Sequence, residues 1–236
     1  NPLIPLRIFR SRAVSGANAI QVLTVAGMFG MFFLGALYLQ RVLGYDAVEV
    51  GLAFLPATIA MGTLSMRYSA QLTTRFGPRA TMLPGIVAIM AGLVLFSRAP
   101  VDGSYAADVL PGMVLLGIGA GLAFPALMTL AMSGATPADS GLASGLVNTT
   151  AQVGGALGLA VLATLATSRT DGLLADGAPA AAALTDGYQL ALLLGGVLVV
   201  GALAIALTVL RPERAPAAAP AASAAPAAEA LGDCAA

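Results

Sequence analysis

The chain has 236 residues, of which 58% are hydrophobic and 9% charged, and its mean hydropathy is +0.91. A soluble domain carries roughly 25% charged residues, and here 11 arginines balance 11 acidic side chains with no histidine. Those figures exclude a basic nucleic-acid binder and an ordinary solvated globule, and leave an integral membrane protein.

In chain order, residues 1–13 (NPLIPLRIFRSRA) interleave apolar side chains with Arg7, Arg10 and Arg12. They read as an interfacial cytoplasmic segment or as a disordered linker. Uncharged stretches follow at 13–40, 50–66, 80–97, 109–138, 140–168 and 187–210. A hydrocarbon layer about 30 Å thick needs roughly 17–25 apolar residues at 1.5 Å each. Six spans are therefore expected, at 14–40, 48–68, 80–98, 109–133, 140–168 and 188–210, within a bundle covering 14–210. Each block is continuous and lacks the alternation of a membrane barrel, and a helix satisfies its own backbone inside lipid. The expected fold class is all-α integral membrane.

Orientation follows from arginine. With the N-terminus inside, the inner segments hold Arg7, Arg10, Arg12, Arg67, Arg75, Arg79, Arg211 and Arg214, and the outer loops only Arg41, Arg98 and Arg169. The positive-inside rule then puts both termini in the cytoplasm of a multi-pass protein. Residues 211–236 are rich in alanine and proline and read as a disordered cytoplasmic tail. Cys234 lies there as a lone thiol, which excludes a disulfide framework. The chain starts on Asn1, and the expectation is a piece of a longer protein.

Enzyme chemistry is poorly supplied. There is no imidazole, no cysteine pair, no metal-ligand cluster, and no Asp or Glu in the interior of any span. What remains is uncharged polarity and close packing. Gly117 and Gly121, Gly141 and Gly145, and Gly154 and Gly158 have the spacing that lets helix backbones approach in lipid. Pro125 falls deep enough in its span to bend it, as a static bend or as a hinge.

In the fifth span Ser144, Asn148 and Gln152 recur every fourth residue and share a face. A buried amide in lipid needs a partner, so interhelical bonding and cavity lining are both open to them. In the first span Asn18, Gln21, Val25, Met28 and Phe32 follow near-helical spacing, with Phe29 adjacent. An amide-to-aromatic face with adaptable methionine suits lipophilic compounds, and core packing or lipid exposure suits it as well. Tyr38 and Tyr105 sit near the outer boundary and read as interface anchors. The inner loop Leu72-Thr73-Thr74-Arg75-Phe76-Gly77-Pro78-Arg79 combines a tight turn with arginines able to dock on helix ends or carboxylates, which would hold one inside-closed arrangement.

Six spans, this arginine loop and the run GLASGLVNTTAQVGGALGLAV (Gly141 to Val161) together resemble the C-terminal half of the major facilitator superfamily. The likeness is to fourteen-spanning drug:proton antiporters of the EmrB/QacA type. The stretches PLIPLRIFRSRAVSGAN, LGYDAVEVGLAFLP and VDGSYAADVLPGMVLLGIGAGLAF add to it, so that it covers residues 1 to about 212. The resemblance implies two inverted three-helix repeats that rock against a second half around a midplane cavity. Spans one, two, four and five would face that cavity, with Asn18, Gln21, Met28, Phe32, Ser144, Asn148 and Gln152 as candidates for lining it.

It further implies a proton-coupled exporter of lipophilic small molecules in the cytoplasmic membrane, with the proton gradient as energy source and no cofactor. Its partners would be the lipid bilayer and an N-terminal half supplying the proton-carrying carboxylates. The gating-loop motif G-x-L-A-D-R-x-G-R-[RK] is met at Leu72, Arg75, Gly77 and Arg79. Thr74 stands for its Asp and Pro78 for an Arg, as in a degenerate second copy. A self-contained six-spanning permease subunit or scaffold, dependent on a partner, is the alternative expectation.

Overall fold

The computed structural model describes residues 11–133, 136 and 139–209. Residues 1–10 and 211–236, which include most of the expected interfacial segment and the whole expected tail, lie outside the described residues. Among the described residues, six helices are long and apolar enough to cross a membrane: α1 Arg12–Arg41, α2 Ala47–Phe76, α3 Pro78–Phe96, α4 Tyr105–Ser133, α5 Ser140–Ala175 and α6 Ala180–Thr208. No strand occurs among the described residues.

Local chemistry sets the helix ends. The Ser11 hydroxyl accepts from the Val14 amide at the start of α1. Asp46 opens α2 with a capping box: its carboxylate accepts from the Val48 and Glu49 amides at 2.8 Å, and Glu49 accepts from the Asp46 amide at 2.9 Å. Gly77, at φ 89° and ψ 156°, ends α2 and hands the chain to Pro78 at the first position of α3. Side chains with a Cβ are essentially excluded from that backbone region. Gly177 at φ 83° similarly follows the end of α5.

Several helices overrun the expected spans. Arg67 is not the end of α2, which continues to Phe76 because the breaking signal is Gly77-Pro78 and an arginine past the hydrocarbon edge is helix-compatible. For the same reason Arg169 and Asp171 lie within α5, and α6 begins at Ala180, ahead of Asp186. Two π-helical turns, Leu64–Ser69 within α2 and Tyr105–Val109 at the start of α4, each add a local register shift.

α1 and α4 are the most buried helices, and α2 and α5 the least. α1 packs on α5 and α6 as α4 packs on α2 and α3, and α3 meets α6 behind them. That reciprocal pairing is the one expected of two inverted triplets, α1–α3 and α4–α6. Glycine makes the approaches close. A Cβ on Gly27 would stand 2.9 Å from the Gly195 carbonyl oxygen across α1 and α6. On Gly85 it would stand 2.8 Å from the Gly119 oxygen across α3 and α4. The side chains of Ile20, Met31, Leu34, Met82, Ile86, Leu93, Phe96, Met113 and Leu116 fill the space between the helices. Dispersion and fit hold such a bundle, since lipid offers helices no hydrophobic drive to associate.

Candidate functional site

Polar side chains on α1 sit inside the bundle. Asn18 is 5% exposed, and its Nδ2 donates to the Val14 carbonyl at 2.8 Å. Its Oδ1 lies 2.8 Å from the Thr150 hydroxyl of α5, which also lies 2.9 Å from the Leu146 carbonyl and 3.0 Å from that of Val147, so one hydroxyl proton has three acceptors in reach. Asn18 thus joins α1 to α5. Gln21 and Thr24, one turn on, are buried, and Gln21 Oε1 and Thr24 Oγ1 have no hydrogen-bond partner. Met28 is buried in the core cluster. Phe32 is half-buried and stacks on Phe54 of α2, with ring centroids 5.4 Å apart and planes 27° apart.

Across the bundle, Ser144 is half-buried while Asn148 and Gln152 are exposed, and neither amide has a hydrogen-bond partner among the described residues. Gly155 continues their helical face, and there a Cβ would stand 3.0 Å from the ring of Phe29. The α5 amides therefore run into an aromatic group of Phe29 and Phe32 on α1 and Phe54 on α2. The combination is a surface with hydrogen-bonding capacity at one end and aromatic area at the other, left uncovered by the six helices.

The glycine pairs divide. Gly154 lies on Val22 and Gly158 on Ala26 of α1, and Gly117 lies on Ala57 and Gly121 on Met61 of α2. Gly141 and Gly145 are exposed and face open space. Pro125 lies inside α4 without ending it; its missing N–H leaves the Gly121 carbonyl without a helical donor.

At the end of the bundle that holds the α2–α3 turn, Arg79 reaches across from α3, and its Nη2 donates to the Leu207 carbonyl in the last turn of α6 at 3.1 Å. A cation there also meets the negative end of the helix dipole. The Arg75 guanidinium sits 5.3 Å over the ring of its neighbour Phe76, and Leu72 is half-buried. The loop thus docks on a helix end, with no carboxylate taking part in the described contacts. At the opposite end, Tyr38 is buried and donates to the Pro100 carbonyl at 2.6 Å, and Tyr105 donates to the Ala53 carbonyl at 2.7 Å. Each tyrosine hydroxyl thus ties one segment of the bundle to another through a backbone partner. Arg169 pairs with Asp186 at 2.6 Å and links α5 to α6. The hydrogen bond and charge of Asp186 raise the Arg169 pKa.

Residues 1–159 match the family described as Major Facilitator Superfamily. The chain belongs to that superfamily. As a major facilitator chain it is similar to the puromycin resistance protein pur8 of Streptomyces alboniger, at 35% identity over 79% of this chain and 38% of the relative. It is similar to the cephamycin export protein CmcT of Amycolatopsis lactamdurans, at 37% identity over 75% of this chain and 36% of the relative. A multidrug resistance protein B homolog of Mycobacterium tuberculosis is 32% identical over 71% of this chain and 31% of its own length. The chain thus spans about a third of the curated relatives it matches. The match is to transporters and not to enzymes, and the chain is a multi-pass membrane protein with six membrane-length helices among the described residues.

The structure leaves Asn148 and Gln152 exposed on α5 and Phe32 half-buried on α1, while Asn18, Gln21 and Met28 are buried. Thr150, Thr24 and Phe54 belong to this constellation and are not among the candidates drawn from the sequence. A helical threonine hydroxyl commonly bonds back to its own carbonyls, so Thr150 gives no interhelical signal in the sequence, and Phe54 carries no spacing signal linking it to α1.

Proposed function

We propose that this chain is the C-terminal half of a fourteen-spanning, proton-coupled exporter of lipophilic small molecules, working by alternating access in the cytoplasmic membrane with both termini inside. The observation carrying this reading is the uncovered surface of Asn148 and Gln152 beside Phe29, Phe32 and Phe54. Unpartnered amides within a membrane span are costly against lipid and suited to a water-filled or substrate-filled path between two halves. Aromatic rings beside them supply area for varied apolar ligands. The export functions named for the similar proteins point the same way.

The division of labour follows from charge. No acidic residue lies in the interior of the six sequence-derived spans, Glu49 standing at the very start of the second, so the proton-carrying carboxylate belongs to the other half, with which this chain closes the cavity. The Arg79 contact on the end of α6 braces the inner face of this half as the two rock. The excess of arginine on the inner segments supports the orientation.

The test is Asn148→Leu and Gln152→Leu in the complete transporter. Export and drug resistance fall while the amount of protein in the membrane stays unchanged. Full resistance across a drug panel returns both amides to a packing role. The isolated chain in proteoliposomes shows no efflux driven by a pH gradient; if it does, the proton site lies within these helices. In-frame apolar spans in the coding DNA upstream of Asn1 support the half-transporter, and a stop codon there supports a self-contained six-spanner.

A further inference from the structure

Away from that surface, a groove of about 490 Å³ runs between α5 and α6 with α1 as its floor. Leu34, Leu37, Ala163 and Ala166 give it an apolar base, and Phe33, 46% exposed, flanks it. Its mouth is charged with both signs. Arg41 stands in the last turn of α1 and Asp171 near the end of α5, both exposed, and the two helices run in the same direction, so their ends meet one side of the bilayer. Arg41 and Asp171 do not pair with each other, since the ion pair among the described residues is Arg169 with Asp186. Tyr188 also lines the groove and is 5% exposed, and its hydroxyl has no hydrogen-bond partner among the described residues.

We propose that this groove holds one glycerophospholipid with a primary-amine headgroup, drawn from the leaflet at the α1–α2 loop. The apolar base takes the upper acyl chain, the Arg41 guanidinium takes the phosphate, and the Asp171 carboxylate takes the ammonium. Guanidinium forks match phosphate oxygens, and a primary ammonium offers three N–H donors where a trimethylated one offers none. An anionic headgroup without an amine would set its phosphate near Asp171 with nothing to offset that charge. A neighbouring outer cleft of about 380 Å³ makes the contrast: its Arg169 and Asp186 are already spent on each other and recognise no headgroup.

The test is native mass spectrometry of the complete membrane protein, released from detergent containing equal phosphatidylethanolamine, phosphatidylcholine and phosphatidylglycerol. Wild type retains phosphatidylethanolamine over phosphatidylcholine by about fivefold, the ratio one exposed ion pair supplies. Asp171→Asn removes the preference but keeps a bound lipid, and Arg41→Gln loses the bound lipid whatever its headgroup. Arg98→Gln, outside the groove, leaves the preference intact, and matching elution profiles and helical circular dichroism show that each variant is folded. Equal retention of the two lipids by wild type overturns the assignment, as does a preference that survives Asp171→Asn. Displacement of the lipid by an apolar export substrate, with no headgroup dependence, gives the groove to that small molecule and also overturns it. None of these outcomes depends on whether Asn148 and Gln152 serve export.

Discussion

Placing one methyl group on Gly158 sets the packing argument against helix propensity in a single experiment. A Cβ there would stand 2.5 Å from the Cα of Ala26 and 3.1 Å from its carbonyl carbon, both backbone atoms that cannot rotate away. Overpacking of this kind costs about 1–3 kcal/mol, and the contact lies at the severe end. Alanine over glycine in a helix returns about 1 kcal/mol, so Gly158→Ala loses about 2 kcal/mol net. Gly172, on the same helix, has nothing within 4 Å of its added Cβ, so Gly172→Ala keeps the propensity gain alone, at most about 1 kcal/mol. At roughly 2–4 °C per kcal/mol for a chain of this size, the two thermal midpoints separate by about 6–12 °C. With no tryptophan in the sequence, unfolding is followed by the helical circular dichroism band in detergent micelles. Equal midpoints for the two variants would refute the close approach of α5 to α1.

Other outcomes follow from the same contacts. Asn18→Leu and Thr150→Val, combined in a double-mutant cycle, show a coupling of about 0.6 kcal/mol, the average for interhelical bonds in lipid, and additivity would remove that bond. Gln21→Leu is neutral or stabilising, because it replaces a buried, unpartnered carbonyl with an apolar group of similar length; lost stability measured by the same dichroism would mean that the amide has a partner. Arg79→Gln weakens the tie to α6 and raises thiol labelling of a Leu207→Cys reporter, and unchanged labelling would count against the tie. Arg169→Ala leaves the thermal midpoint unchanged, since the pair with Asp186 is exposed and water screens it.

Charge spacing located the helices well and their ends poorly. An arginine such as Arg67 marks where lipid stops, whereas a helix stops where backbone chemistry forbids it, here at Gly77-Pro78. The π-turn at Leu64–Ser69 has no signature in residue type, because it depends on how α2 settles against α4. Glycine spacing carries the same limit. Gly154 and Gly158 meet a neighbouring backbone and Gly141 and Gly145 do not, although both pairs lie on α5 with identical separation. For the site, the recurrence of Ser144, Asn148 and Gln152 put amides on one helical face but could not say whether that face was covered. Asn18 met the opposite fate: its bond to Thr150 joins residues 132 positions apart, a contact that only the tertiary fold creates.

Whether the Asn148–Gln152 face borders a path through the membrane is decided most directly by thiol accessibility. Asn148→Cys and Gln152→Cys, introduced singly with Cys234 changed to serine in the complete transporter, are treated with a membrane-impermeant maleimide in open vesicles. Val197→Cys, exposed on α6 away from either groove, serves as the comparison. Rapid labelling at 148 and 152, slowed by an exported compound and absent at 197, is the predicted result. Labelling at 148 and 152 no faster than at 197 would mean that these amides face hydrocarbon, and the account of an export path would fail.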